Sequence, residues 1–301
     1  MNCKLLNITK LTIFSLLAVT TLFVRCGGDS SNVEDQIEDS VNTTNKVDEF
    51  NKAKQVIYGI PSPIETAMLM KRAGAKYNQD YLNPISNLGN YTTTKSMALN
   101  LGVYSTDLSF ASMFDQSQAS IKYLSATKKL ADDLGILNAI DKTIITRMET
   151  NINNRDSLMT IISETFMNSN SFLKENDRAE IAAIILAGGW VEGLYIGTQV
   201  ASHTASNKEL IERIADQRLS LNTLLSLMAE YKEDPNIKAI TPDMERLKAI
   251  FDKIQTSSSK MEVVEKDGKS IITSKSEVKV STEIFNEITK AASEIRNNII
   301  K

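Results

Sequence analysis

The residues able to do chemistry are few and lie in three places. Cys26 stands directly behind the uncharged apolar run of residues 11–24 and a single Arg25. Glu192 sits inside the apolar stretch 181–201, between Trp190 and Tyr195. Asp107 follows Tyr104 by three residues in a segment that is otherwise apolar. A carboxylate in apolar surroundings resists ionisation and can serve as a general acid or base, or it can contact a ligand. It can equally be a structural polar group whose partners satisfy it. Tyr104, Asp107, Trp190, Glu192 and Tyr195 are therefore the candidate pocket residues, with both readings open.

His203 is the only histidine. One histidine without a neighbouring cysteine cannot build the usual zinc sites. A serine nucleophile would need it as base, but neither Ser202 nor Ser206 stands in a Gly-x-Ser-x-Gly elbow. His203 is expected at a helix C-terminus, where the macrodipole favours it. No catalytic residue, metal ligand or cofactor-binding motif is assigned, and catalysis is left unsupported.

Cys26 calls for different chemistry. Lys4 and Lys10 precede the apolar run, which is too short to span a bilayer, and the polar Gly27-Gly28-Asp29-Ser30-Ser31 follows. This is the layout of a bacterial lipoprotein signal, residues 1–25, in which Cys26 receives the lipid and heads the mature chain. Arg25 departs from the small residue such signals prefer at that place. Cys3 is the only other cysteine and lies within the signal, so an exported chain would keep a single cysteine and no internal disulfide. An acyl chain accounts for that lone thiol.

Residues 26–55 form an acidic tether. Between Cys26 and Phe50, Asp29, Glu34, Asp35, Glu38, Asp39, Asp48 and Glu49 face one base, Lys46, with few large apolar residues among them. Such a segment repels itself and cannot bury enough surface to offset its ordering entropy. The whole chain has 34 basic and 37 acidic residues, and the signal contributes three of the bases and no acid. With no basic block beyond it, nucleic acid is not expected as a partner.

The elements that must position the candidate residues read as helices from 56 to 301. Ser62-Pro63-Ile64-Glu65 has the form of a capping box with proline at the first helical position, and Gly74 is a stop. Met97, Leu101, Tyr104, Leu108 and Ala111 keep three–four spacing, with Phe110 and Phe114 adding apolar surface beyond the stripe. Further stripes run through Ile121 to Leu134 (closed by Gly135), through Ile140, Ile144 and Met148, and through Leu158 to Phe166. Asp177 and Glu180 suggest a second capping box, Asn207 and Thr241-Pro242 suggest further helix starts, and Ser281 begins the last. In the apolar stretch, Gly189, Gly193, Gly197 and Ala201 lie four apart, a smooth face on which another helix could lie closely. Glu192 at its middle would be costly in lipid, which makes a buried central helix the expected reading.

Residues 261–280 break the helical period. They are rich in Val, Ile, Thr and Ser and hold Asp267-Gly268, a favoured hairpin turn. The expected fold is all-α: one bundle of about eight or nine helices with a minor β-hairpin at about 261–280.

Residues 60–75 (Ile60-Pro-Ser-Pro-Ile-Glu-Thr-Ala-Met-Leu-Met-Lys-Arg-Ala-Gly-Ala75) and residues 98–111 (Ala98-Leu-Asn-Leu-Gly-Val-Tyr-Ser-Thr-Asp-Leu-Ser-Phe-Ala111) resemble stretches of uncharacterised all-helical envelope lipoproteins of Bacteroidota. The resemblance covers the first third of the helical body. It implies a lipid-anchored protein of the outer membrane facing either side, a tolerance of Arg25 before the cysteine, and no known activity. It also implies O-glycosylation at short Asp-Ser/Thr-apolar motifs, which Ser40 and Ser157 match. The expected function is a non-catalytic envelope lipoprotein whose partners are the membrane, through the lipid, and a protein or small ligand. The alternative is an envelope enzyme with a cryptic site around Glu192.

Overall fold

A helix that is apolar on every side must be enclosed by other elements, and two segments have that character. Helix α1 (Thr94–Met113) is buried without a break from Ala98 to Tyr104, and helix α5 (Ala179–Ser202) from Ile181 to Gly188. They make the most extensive helix–helix contact in the fold. A Cβ placed on Gly102 would lie 2.0 Å from the Ile185 carbonyl oxygen, and one on Gly188 would lie 2.0 Å from that of Leu99. Only glycine lets the backbones approach so closely. The Thr106 hydroxyl lies 3.1 Å from the Gly102 carbonyl of its own helix and 3.2 Å from that of Gly189 across the contact.

The expected smooth face is met in part. Gly189 is at the contact, but Gly193 and Gly197 meet only side chains, at 4.0 and 3.8 Å. The tightest position on α5, Gly188, lies one residue off the four-spaced stripe, and Gly197 meets Ile214 rather than α1. Among the described residues α5 is the one helix long and apolar enough to cross a membrane, and 78% of its most apolar window is buried inside the fold.

The computed structural model describes residues 74–137, 142–204, 208–258, 262–266, 269–273 and 276–301. Cys26, the signal, the tether, Ser40, the Ser62–Glu65 cap and Asn207 lie outside the described residues, all of which belong to the compact unit Asn45–Lys301. The other helices are α2 (Ser117–Asp133), α3 (Lys142–Thr150), α4 (Arg155–Glu175), α6 (Lys208–Glu230), α7 (Pro235–Phe251) and α8 (Thr282–Ile299). Helix α2 packs on α1; α4 lies against both central helices and carries α3; α6 and α8 cover α5, and α7 bridges them. The described residues thus hold eight α-helices, and the all-α class stands.

Two helix starts differ from the sequence reading. Asp177 does not cap α5: at φ 55° it is the left-handed residue that ends α4. The Arg178 N–H donates to the Leu173 carbonyl at 2.8 Å and the Asp177 N–H to that of Lys174 at 3.2 Å, the bonding of a Schellman stop. Arg178 is the N-cap of α5 and makes no side-chain capping bond; its guanidinium donates instead to the Leu134 carbonyl at 2.9 Å. Helix α7 begins at Pro235 rather than at Thr241-Pro242. Asp234 accepts the N–H groups of Asn236 at 2.8 Å and Ile237 at 2.9 Å, so the earlier Asp-Pro pair sets the start. Pro242 is carried inside the helix, where the lost N–H is tolerated because Ile237, Ile240, Met244, Leu247 and Phe251 are buried on one face. Elsewhere Gly135 closes the turn after α2 at φ 69°, and Ser281 caps α8 through the Ile284 N–H at 3.3 Å.

Between α7 and α8 the backbone forms two antiparallel pairs. Strand β1 (Gln255–Ser258) pairs with β4 (Ser276–Lys279), and β2 (Glu262–Lys266) pairs with β3 (Lys269–Thr273), Lys266 opposite Lys269. Asp267 and Gly268 lie outside the described residues.

The α1–α5 contact gives a direct test. Gly188→Ala should destabilise the protein by about 3 kcal/mol or more in thermal or urea unfolding, since the intruding methyl meets rigid backbone. Gly89→Ala, whose added Cβ meets nothing within 4 Å, should leave the midpoint unchanged.

Candidate functional site

Helix α5 delivers Glu192 to the interior, fully buried, and helix α8 delivers Arg296 to the same point at 5% exposure. The Arg296 Nε donates to Glu192 Oε2 at 3.0 Å and a terminal nitrogen donates to Oε1 at 3.1 Å, a bidentate pair. The same terminal nitrogen donates to the Tyr81 carbonyl at 3.1 Å. The guanidinium carbon sits 4.6 Å from the centre of the Tyr195 ring, a cation–π contact. Burial alone would lower the affinity of Arg296 for its proton, but the Glu192 charge and hydrogen bonds outweigh it and hold the group above its ordinary value.

Asp107, on α1, is also fully buried. Its Oδ2 accepts the Asn83 N–H at 3.0 Å, while Oδ1 finds no donor. Burial and then the neighbouring Glu192 charge push its pKa well above the usual carboxylate range. Glu192 is raised by burial too, but the Arg296 charge and hydrogen bonds oppose the rise. Asp107 therefore holds its proton more tightly than Glu192 does, and a proton on Oδ1 would give that oxygen the bonding role it otherwise lacks. Two ionised carboxylates would leave Oδ1 without a donor and two buried negative charges against one positive. With one proton the group is neutral and the orphan oxygen can donate.

An extended segment, residues 75–91, lies over this cluster, with 3-10 turns at Gln79–Tyr81 and Ile85–Asn90. Asn83 is its hub. Its side-chain nitrogen donates to the Tyr91 hydroxyl at 2.9 Å and to Asn100 Oδ1 at 3.2 Å, and its side-chain oxygen accepts from Asn87 at 3.0 Å. Its carbonyl accepts the Tyr123 hydroxyl of α2 at 3.1 Å, and the next carbonyl, Pro84, accepts that of Tyr104 at 3.0 Å. The last carbonyls of α8, which have no helical partner, are taken by the same group: Ile299 by Asn100 at 2.9 Å, Ile300 by Asn87 and by the Tyr91 hydroxyl, each at 3.2 Å. Burial pushes the Tyr91, Tyr104 and Tyr123 hydroxyls up, so each stays a neutral donor.

Of the five candidate residues, four converge. The Glu192 charge acts on Asp107, Tyr195 lies against Arg296, and Tyr104 holds the overlying segment. Trp190 does not join them. Its indole donates to Ser220 Oγ at 3.0 Å and its ring packs on Phe251 at 6.3 Å, on another side of α5. His203 is the C-cap of α5, with Nδ1 2.8 Å from the Gln199 carbonyl. Ser157 lies in the first turn of α4, its N–H on the Asn154 side chain. No group of three metal-ligating side chains occurs among the described residues.

Sequence reasoning missed Arg296, Asn83 and Asn100. Arg296 carried a usable signal, since it falls on the apolar stripe of Ile288, Ala292, Ile295 and Ile299. A charge at that register must find a buried partner. Asn83 and Asn100 carried none, because their partners, the Asp107 carboxyl for the one and the Ile299 carbonyl for the other, are brought to them only by the fold. Compared with known protein families, curated proteins and solved structures, the chain matches none.

The pair predicts its own mutational pattern. Glu192→Gln leaves a buried guanidinium without its counter-charge and should cost about 3–5 kcal/mol. Adding Arg296→Met to that variant should recover most of the loss, as read by urea unfolding of the single and double variants.

Asp107 predicts the pH dependence. Its folded pKa is raised, so its contribution is fully present below the ordinary carboxyl range and is lost as pH rises from there through the folded value. Asp107→Asn supplies a permanent N–H donor in place of the Asp107 proton and keeps an acceptor for Asn83. Its stability relative to wild type should therefore rise with pH, by up to about 1.4 kcal/mol per pH unit inside that window. A constant difference from pH 4 to 9 would contradict a proton held on Asp107.

Proposed function

We propose that the protein is a lipid-anchored bacterial envelope protein, tethered through Cys26 and an acidic spacer, whose all-helical body is a non-catalytic binding module. The observation that favours a non-catalytic body is the state of its ionisable cluster. Both Glu192 oxygens are taken by Arg296, Asp107 takes the Asn83 N–H on one oxygen, and neither carboxyl reaches solvent. Carboxyls sealed from solvent and held by Arg296 and by the Asn83 N–H have no face open to a substrate.

The anchor rests on the sequence: the basic start, the apolar run, the cysteine and the charged, self-repelling spacer behind it. In this reading residues 1–25 are removed, the acyl chains hold the protein at the outer membrane, and the likeness to envelope lipoproteins of Bacteroidota supports that address. Segment 261–280 is read as one β-hairpin turning at Asp267-Gly268, set between the bundle's last two helices.

A second reading has one observation in its favour. Asp107 and Glu192 are neighbouring carboxyls whose surroundings drive their proton affinities apart, which is how acid–base pairs are built. An enzyme of this kind would have to open the segment 75–91 to admit a substrate.

The anchor is tested by Cys26→Ala in the native host. Acyl labelling should vanish and the protein should move from the membrane to the soluble fraction. Continued membrane association would sink the lipoprotein reading.

A further inference from the structure

Buried main chain is usually bonded by other main chain, yet between Tyr81 and Pro84 four main-chain groups are bonded by helix side chains, beside the local bonds of the Leu82 N–H to the Gln79 carbonyl and of the Asn87 N–H to the Pro84 carbonyl. Arg296 of α8 donates to the Tyr81 carbonyl, Asp107 of α1 accepts the Asn83 N–H, Tyr123 of α2 donates to the Asn83 carbonyl and Tyr104 of α1 to that of Pro84, at 3.0–3.1 Å. Leu82 and Asn83 are 2% and 0% exposed, whereas Pro84 is exposed. This is how a groove holds an extended peptide: main-chain bonds along its length and pockets for selected side chains. The segment is flanked by exposed positions, Lys76 before it and Thr92 and Thr93 after it. Vacating the groove would leave Asp107 and the end of α8 without their partners, so an empty groove favours any chain that restores those bonds.

We propose that the groove between α1, α2 and α8 is a peptide-recognition site that residues 81–84 occupy in cis, and that the same segment of a second copy of this chain can occupy it in trans. The second copy is the occupant because it carries the Leu82-Asn83-Pro84 sequence the groove already fits. Exchange of an identical element between copies makes no new contact and costs only the opening of the connection at Thr92-Thr93. The inference deepens the binding-module reading and rests on it. Cys26-dependent membrane association is read separately, so loss of one does not remove the other.

The test uses the full chain in detergent and a fluorescent peptide of residues 75–91. In one version a protease site is inserted between Thr92 and Thr93 and cut after folding. The cut protein should take up the labelled peptide saturably, with an Asn83→Ala peptide competing at least tenfold more weakly and a scrambled peptide not at all. Uncut chain should bind the label at least tenfold less, since its own segment competes at high effective concentration, and should form dimers when annealed at high concentration. Should the insertion prevent folding, Asn83→Ala in the uncut chain replaces it and should bind the wild-type peptide more tightly than wild-type chain does. A folded cut or Asn83→Ala protein that binds no peptide overturns the proposal. Equal binding of the scrambled peptide overturns it too, and an uncut chain that stays monomeric after annealing removes the second copy as occupant.

Discussion

Burying a guanidinium constrains everything around it. Removing the Arg296 charge from water costs several kcal/mol, and a single counter-ion restores this only if every donor is used. Glu192 takes two bonds, the Tyr81 carbonyl a third, and the Tyr195 ring covers a face. Those partners come from α5 and from the segment ahead of α1, so one side chain determines where α8 ends and where that segment lies. A hydrophobic replacement of the pair would hold the helices together as well. What the charges add is register, because a shift of α8 by one residue would bury Arg296 against groups that cannot answer it.

The register depends in turn on the glycines. Gly102 and Gly188 bring α1 and α5 to backbone contact. Asp107 lies five residues beyond Gly102, and Glu192 four beyond Gly188, each a little over one turn further along. The close crossing therefore sets the spacing of the two carboxyls and excludes water from between them. That dryness keeps the proton on Asp107 and strengthens each bond around it. Removing the glycine contact would loosen the carboxyl pair before it touched a single polar atom of the cluster.

The class of the fold was legible because it follows from local periodicity, and buried faces such as Ile284–Ile299 need no tertiary knowledge. Helix limits were legible where one signal stood alone, as at Ser281 and Gly135. They failed where two signals competed: Asp177 could end one helix or begin the next, and two Asp/Thr-Pro pairs stood seven residues apart at 234–235 and 241–242. In the site, Asp107 and Glu192 stood out as charges in apolar runs. Trp190 was wrongly joined to them because neighbours in a helical sequence point in different directions: residues 190 and 192 are about 200° apart around the axis. Asn83 was invisible, since nothing in a loop asparagine announces that the Asp107 carboxyl and the side chains of Tyr91 and Asn100 will need it.

The cluster also orders how the fold can close. Glu192 and Arg296 are separated by 104 residues, Tyr81 and Arg296 by 215. While α8 is undocked, a buried Glu192 lacks its counter-charge and is held more cheaply with a proton than without one. Segment 75–91 then has neither Arg296 to receive its Tyr81 carbonyl nor the end of α8 to bond. The central α1–α5 pair needs no such partner, since its contact is apolar and backbone-deep. The core can therefore assemble first, and the overlying segment can settle only once α8 has arrived. Contacts of such sequence separation reward the chain late, so segment 75–91 is secured only after the helices that hold it have met.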